Sequence, residues 1–346
     1  MNIHLERPDH AALDVEEFLA LSGNALMHYT PKYLGFLSKI LANTKIAYLL
    51  ARHNGAIEGV LPVAIGTDEK LGTIINSLPF FGSHGGPLVS GASADMGQIR
   101  LELMHGFNEL VDEHQAISAT LIENPFHILD DDMVSAAGIS FVDDRIGQFT
   151  RLPKKNPDLK EALFAACHVK TRNAIRKGQK YEQRVARRTD TAAIKWLQSV
   201  HEQSIQALGG VAKPLHIFQA LIDSFGDKAR LYIGELDNLP VSGLLVILYG
   251  DTVEYFTPVV EAEHKQKQLL SSLIFSVMTE LAQEGFCRWN WGGTWRSQTG
   301  VYRFKQRWGA EDYPYRYFNR LVDPTLISQS KDKLARAFPF FYLFKY

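Results

Sequence analysis

A lysine set between two aromatic residues, soon after a Gly-Gly pair, is the arrangement in this chain best suited to chemistry at a carbonyl. Trp289 to Gly309 reads WNWGGTWRSQTGVYRFKQRWG. An aromatic strand is expected to end at Gly292-Gly293. The hydroxyl of Thr294 follows, and a short helical segment closes on Phe304-Lys305-Gln306-Arg307-Trp308-Gly309. A glycine pair after a strand lets backbone approach a ligand closely. Lys305 follows Phe304 and precedes Trp308 by three residues, so its ammonium can be aimed at an anion or a developing oxyanion. Arg307 adds a second cation.

This segment resembles the end of the second domain in the FemAB/FemX family of acyltransferases, built from two GNAT-like domains. The family carries an aromatic/Asp-x-Gly-Gly/Ser strand end followed by FK-x-x-(W/F)G. FKxxWG is intact here, whereas the frequent Asp is Asn290. The resemblance covers roughly residues 30–320. It implies that no enzyme nucleophile is needed, because an acceptor amine attacks the donor ester directly while the protein positions and stabilises charge.

Length and composition agree with such a protein. The 346 residues suffice for two ordinary domains, and 46% apolar with 22% charged residues describes a globular chain. A net charge of −1 gives no overall basic field for nucleic acid. Two distant cysteines, Cys167 and Cys287, suggest neither a disulfide framework nor a zinc site, and no paired metal-ligand spacing appears, so no metal is expected. The start, MNIHLERPDH, lacks the apolar core of a signal peptide, and no apolar run reaches a spanning length. The expected location is cytoplasmic, with the inner membrane face as an extension of that reading.

An internal echo supports duplication. Tyr48–Gly59 reads YLLARHNGAIEG and Tyr232–Gly243 reads YIGELDNLPVSG, at a constant offset of 184. Each is an apolar strand, a polar turn and a second apolar strand, the pattern of a β-hairpin. The expected fold is α/β (α+β): two tandem GNAT-like domains, each a mixed sheet flanked by helices. The expected division is 1–150, then 151–323 carrying RxxIRK and FKxxWG, then a tail at 324–346. The Pro- and charge-rich segment from Arg151 to Pro157 reads as the linker. Helices are expected near 14–21, 31–42, 95–114, 158–167, 169–180, 190–207, 214–225, 265–284 and 297–307. Strands are expected near 46–52, 57–66, 71–77, 117–123, 139–149, 229–235, 240–249, 252–259, 286–291 and 313–321.

Further motifs surround this frame. Between Lys170 and Arg188 eight cations face one acid, Glu182. Arg172 and Arg176 lie one helical turn apart within a segment resembling the family's RxxIRK, which implies contact with phosphates of a nucleotide-linked acceptor or a tRNA. A solvated helix face is the ordinary alternative. Leu78–Pro87, LPFFGSHGGP, forces an irregular turn, and His84 is a candidate substrate contact there. Tyr255 resembles a substrate-binding tyrosine of the family, with sheet core as the competing reading. Glu263–Leu270, EHKQKQLL, has no glycine where ordinary GNAT enzymes cradle CoA pyrophosphate at the start of the long helix, which argues for aminoacyl-tRNA rather than acyl-CoA. The tail KDKLARAFPFFYLFKY offers either a peripheral membrane contact through 331–346 or packing against the fold.

The resulting expectation is an amide-forming acyltransferase. It moves an aminoacyl or acyl group to an amine of a small-molecule or lipid-linked cell-envelope precursor, a peptidoglycan peptide or an amino sugar. No cofactor is held; the donor is aminoacyl-tRNA or acyl-CoA. Lys305 is the catalytic candidate, with Arg172, Arg176, Tyr255, Trp291, Thr294, Arg307 and His84 binding substrate. Acyl-CoA-dependent N-acylation in polysaccharide or natural-product assembly, and a non-catalytic RNA- or ligand-binding module, are the alternatives.

Overall fold

The computed structural model describes residues 2–82, 84–93, 95–130 and 138–343. In chain order the elements are β1 (Asn2–Glu6), α1 (Ala12–Leu21), α2 (Pro31–Ile40), β2 (Thr44–His53), β3 (Ala56–Asp68), β4 (Gly72–Asn76), β5 (Leu88–Val89), α3 (Met96–Glu113), β6 (Ser118–Ile122) and β7 (Phe141–Arg151). Then come α4 (Leu159–Ala166), α5 (Val169–Gln179), β8 (Arg184–Arg187), α6 (Thr191–Gln206), α7 (Leu215–Phe225), β9 (Ala229–Leu236), β10 (Leu239–Tyr249), β11 (Thr252–Val260), α8 (Leu269–Gln283), β12 (Arg288–Trp295), α9 (Thr299–Gln306), β13 (Ala310–Leu321) and α10 (Lys331–Ala337).

Two compact units result. One comprises Met1–Ile146 with Tyr313–Tyr346, the other Gly147–Asp312. The expected cuts near 150 and 323 differ from these limits because β13 pairs with β6, from Tyr317 against Ile122 to Leu321 against Ser118. That ladder assigns the end of the chain to the first unit.

The duplicated hairpins carry the strand register within each unit. In the first, Asn54 (φ 51°) and Gly55 (φ 86°) make the turn; in the second, Asp237 (φ 50°) and Asn238 (φ 63°) do. Two consecutive left-handed residues match the twist of antiparallel strands, which is why Asn, Asp and Gly occupy them. The glycines closing each repeat, Gly59 and Gly243, lie under packed side chains. An added Cβ would meet Ile99 at 2.8 Å in one and Trp196 at 2.9 Å in the other.

In the first unit the strand order is β1-β2-β3-β4-β6-β13, with β5 beside β3. Its α3 face packs Leu49, Leu61, Val63, Ile75 and Leu121 against Leu103, Phe107 and Leu110. In the second unit the order is β7-β12-β11-β10-β9-β8. There Leu244, Val246, Val253 and Trp289 pack against Leu273, Val277 and Leu281 of α8.

Several elements depart from the sequence expectation. β1, β5, β8 and α10 were not anticipated; β8 is a charged edge strand hidden inside the cationic run. The long helix begins at Leu269, preceded by a 3-10 turn at Ala262–Lys267. Strand β12 continues to Trp295, so Gly292 and Gly293 lie inside a bent strand end rather than after it.

The tail packs within the first unit. Phe338 and Phe341 are buried, and a Cβ on Gly66 would come within 2.8 Å of the Phe341 ring. The Phe80 amide donates to the Phe340 carbonyl at 2.7 Å, and the Tyr342 hydroxyl donates to the Phe80 carbonyl. Phe344 and Tyr346 lie outside the described residues. Among the described residues no helix is long and apolar enough to cross a membrane.

His84 is buried in this unit, its ring 5.4 Å from His28 and 4.9 Å from Tyr315. Burial, with His84 beside it, holds His28 well below its ordinary value of 6.5. The unfolded chain therefore takes up a proton below about pH 6.5 that the folded state refuses, and stability falls as pH falls. Thermal denaturation between pH 7 and 5 should show this loss, and His28→Phe should flatten it; an unchanged slope would refute the assignment.

Candidate functional site

The second unit gathers four of the sequence candidates around the end of β12. The Lys305 side chain, on α9, is 6% exposed. Its ammonium donates to the Gly292 carbonyl at 3.0 Å, the Gly293 carbonyl at 3.3 Å and Thr294 Oγ1 at 2.7 Å. An ammonium has three N–H groups, and all three are engaged. Lys305 is thus aimed at backbone and hydroxyl, not at open space. Burial pulls it down to about 7, because the charged form loses hydration.

The acceptors are themselves held. Gly292, at φ 73°, bends the strand, and its amide donates to Asn290 Oδ1 at 2.8 Å. Thr294 Oγ1 reaches Gln148 Oε1 at 3.5 Å, and Gln148 Nε2 donates to Asp312 Oδ1 at 3.2 Å. The Tyr302 hydroxyl closes on Asp312 Oδ2 at 2.6 Å.

An aromatic wall flanks this network. Trp291 stands 4.8 Å from Tyr255, 5.7 Å from Trp289, 5.8 Å from Phe304 and 5.7 Å from Trp308 between ring centroids. Trp291 Nε1 donates to Thr150 Oγ1 at 2.8 Å, fixing the indole plane. Tyr255 is half-buried against the same cluster.

The cationic candidates are more engaged than their local sequence implies. Arg172 donates to the Cys167 carbonyl at 2.6 Å, closing the end of α4, and Arg176 stacks 4.9 Å over the Phe164 ring. Arg184 and Arg188 pair with Glu235, Arg188 also with Asp190, and Arg187 with Glu280 and Glu284. Lys170, Lys177 and Lys180 remain exposed. The Arg307 carbonyl accepts the His168 amide at 2.8 Å, joining the end of α9 to the start of α5. His84 belongs to the first unit and is not part of this cluster.

Sequence reasoning missed Glu254. It lies in β11, 5% exposed, opposite Asn290 in the parallel ladder with β12. Asn290 Nδ2 donates to Glu254 Oε2 at 2.7 Å, while Oε1 is buried and has no hydrogen-bond partner. Burial pushes the carboxyl up to about 8; the Asn290 bond and Arg288 oppose this. A lone acid in the middle of TVEYFTPVV was the available signal.

Residues 167–313 match the Acetyltransf_6 family, described as an acetyltransferase (GNAT) domain. No curated protein matches. Among solved structures, FemX is similar at 13% identity, covering 95% of this chain and 99% of its own, with a TM-score of 0.72. The chain has the FemX-like tandem GNAT fold. A tandem GNAT protein from the clavulanic acid biosynthesis pathway is similar at 12% identity, covering 93% and 99%, with a TM-score of 0.55. L-PGS from Bacillus licheniformis is similar at 11% identity, covering 96% of each chain, with a TM-score of 0.56. These likenesses carry the fold, and the family match makes the second GNAT unit an acyltransferase domain.

Asn290→Asp tests the ladder pair. It deletes the donor to Glu254 and sets two carboxylates side by side. At pH 6 Glu254 is protonated and can donate to the new carboxylate, so the loss should be small. The new carboxylate pushes Glu254 further up, so at pH 9 the folded variant either keeps a proton that the unfolded chain has released or carries two like charges, and roughly 2–3 kcal/mol of destabilisation is expected there. Denaturation midpoints at pH 6 and 9 decide; an equal loss at both would contradict the pairing.

Proposed function

We propose that the chain forms an amide bond by moving an activated acyl or aminoacyl group to an amine of a cell-envelope precursor. The observation that carries this is the buried Lys305 charge bound to the Gly292 and Gly293 carbonyls and the Thr294 hydroxyl beside an aromatic wall. A cation on a peptide carbonyl polarises that peptide and strengthens its N–H as a donor. Lys305 thereby favours negative charge on an acyl oxygen held at the bent strand end, without leaving its own partners. Tyr255 and Trp291 flank the transferred group, and Arg172, Arg176 and Arg307 hold anionic groups of the substrates. The likeness to FemX and L-PGS supports an envelope acceptor, a peptidoglycan peptide or an amino sugar, in the cytoplasm at the membrane face.

The donor is aminoacyl-tRNA in this reading, and exposed Lys170, Lys177 and Lys180 suit a phosphate backbone. A second reading, acyl-CoA, is favoured by the start of α8. Gln268 takes a left-handed conformation there, at φ 62°, so the bend that opens the helix exists without glycine. The acetyltransferase family match supports the same donor.

Purified protein mixed in parallel with a labelled aminoacyl-tRNA pool and with acetyl-CoA, each with glucosamine and a lysine-containing pentapeptide, separates the readings. Transfer from one aminoacyl-tRNA is expected; transfer from acetyl-CoA alone moves the assignment to N-acylation. RNA binding without any transfer would leave a binding module. Lys305→Met keeps the aliphatic stem and should lower turnover roughly 100-fold or more with the fold retained. If Lys305 acts as a cation, wild-type turnover should also decline as pH rises through about 7. Unchanged turnover in a folded variant would remove Lys305 from the mechanism.

A further inference from the structure

Two buried polar side chains of β7 clamp α9 onto the end of β12. Gln148 and Thr150 are 0% and 1% exposed and, two residues apart in a strand, share a face. Thr150 Oγ1 accepts from Trp291 Nε1 on β12 at 2.8 Å and donates to the Trp308 carbonyl, just past α9, at 3.2 Å. Gln148 makes a second rung beside it. Its Nε2 donates to the Tyr302 carbonyl of α9 at 3.3 Å and to Asp312 Oδ1 at 3.2 Å, and its Oε1 faces Thr294 Oγ1 on β12 at 3.5 Å. The first rung joins neutral groups. The second runs from a carboxylate to a hydroxyl that holds a cation.

The protons along the second rung have one consistent arrangement. A carbonyl and a carboxylate only accept, so both Gln148 N–H groups point to them and Oε1 is left for Thr294. The Lys305 ammonium donates to Thr294 Oγ1 at 2.7 Å, so the hydroxyl hydrogen turns away from Lys305, toward Oε1. The Tyr302 hydroxyl donates to the other oxygen of Asp312 at 2.6 Å and fixes the carboxylate.

We propose that Gln148 is a positioning residue for the reaction: it turns the Thr294 hydroxyl so that Lys305 stays charged in its dry site. The role rests on Lys305 acting as a cation in the acyl-transfer reading above. Polarity passes in one direction, from the Asp312 carboxylate through the amide and the hydroxyl to the ammonium, and each bond strengthens the next. A threonine hydroxyl without this acceptor can rotate. With its hydrogen drawn to Oε1, the oxygen presents lone-pair density to Lys305 continuously.

Burial opposes the charge on Lys305. Other ionisable groups on the elements bordering α9 are engaged elsewhere: Arg145 with Asp143 on β7, Arg151 of β7 with Glu311 of β13, Arg288 of β12 with Asp251, and Glu254 with Asn290 across the β11–β12 ladder. Arg303 and Arg307 lie on α9 itself, and His168 meets its end from α5. Among the described residues Asp312 is the acid joined to Lys305 through hydrogen bonds.

Gln148→Met keeps the length and removes the amide, while the Tyr302 hydroxyl still holds Asp312. NMR of protein labelled with carbon-13 lysine, with Lys305→Met to assign the signal, reads the titration. The pH profile of kcat/KM is followed beside it, using acetyl-CoA or the aminoacyl-tRNA pool with glucosamine or the lysine pentapeptide. Wild-type Lys305 should titrate near 7, and Gln148→Met about one pH unit lower, the declining limb of kcat/KM moving with it. The charged fraction then differs about tenfold at pH 8 and little at pH 5, so the variant should lose roughly tenfold more activity at pH 8 than at pH 5. Gln148→Glu restores an acceptor by sharing one proton with Asp312, and should return the titration to the wild-type position or above it. Thr150→Val breaks the neighbouring rung without touching Thr294 and should leave the titration and the limb in place. A titration unmoved in Gln148→Met, or moved equally in Thr150→Val, overturns the proposal and leaves the acyltransferase reading standing. A wild-type rate that does not follow the Lys305 titration removes both Lys305 and Gln148 from the mechanism. No transfer by wild type with any of these pairs overturns the acyltransferase reading itself, this role included.

Discussion

A buried ammonium ion governs the architecture of the second unit. Lys305 loses most of its hydration, and an unpaired cation in that position would not persist. Three acceptors must therefore converge within hydrogen-bond reach, and no regular strand presents two successive carbonyls and a side-chain hydroxyl to one point. Gly292 supplies the bend at φ 73°, where a side chain would be strained. Asn290 then anchors the Gly292 amide, Gln148 orients Thr294, and the tryptophans keep water from competing. Each of these residues is intelligible as a condition for keeping one charge dry.

The duplication shows what that requirement adds to a common scaffold. Both units build a hairpin on two left-handed turn residues, pair the following strand in parallel across a long helix, and then let the ladder stop after three pairs. In the first unit the place after the ladder is filled by aromatic tail and buried histidine. In the second it is lined by carboxyl, amide and ammonium. The scaffold is neutral towards chemistry; the residues at the ladder's end decide it.

Much of the frame was readable in the sequence because it depends on short-range signals. Turn residues announced both hairpins, and apolar periodicity announced the helices from α1 to α9. The assignment of β13 to the first unit was not readable, since it depends on pairing with Ser118–Ile122, far back in the chain. The cationic run misled for the same reason: the acids that neutralise Arg184, Arg187 and Arg188 include Glu235, Glu280 and Glu284, brought by folding rather than by proximity in sequence. Lys305 was legible as a residue type between aromatics, but its target was not, because the acceptors are backbone carbonyls that any sequence provides.

Asn290 joins the legible and the hidden parts of the site. The family pattern has an acid at this strand end, and its replacement by an amide looks from sequence alone like the loss of a functional group. The ladder with β11 gives it another meaning. Asn290 donates to Glu254 and accepts from Gly292, two bonds of opposite sense that a carboxylate could not both make. An acid at both positions would place like charges at hydrogen-bond distance in a buried site, where one would have to stay protonated. One acid and one amide avoid that conflict while keeping a single ionisable oxygen pair at the ladder's end. The buried acid of this ladder end stands on β11, and the amide opposite it on β12 is the condition for their pairing.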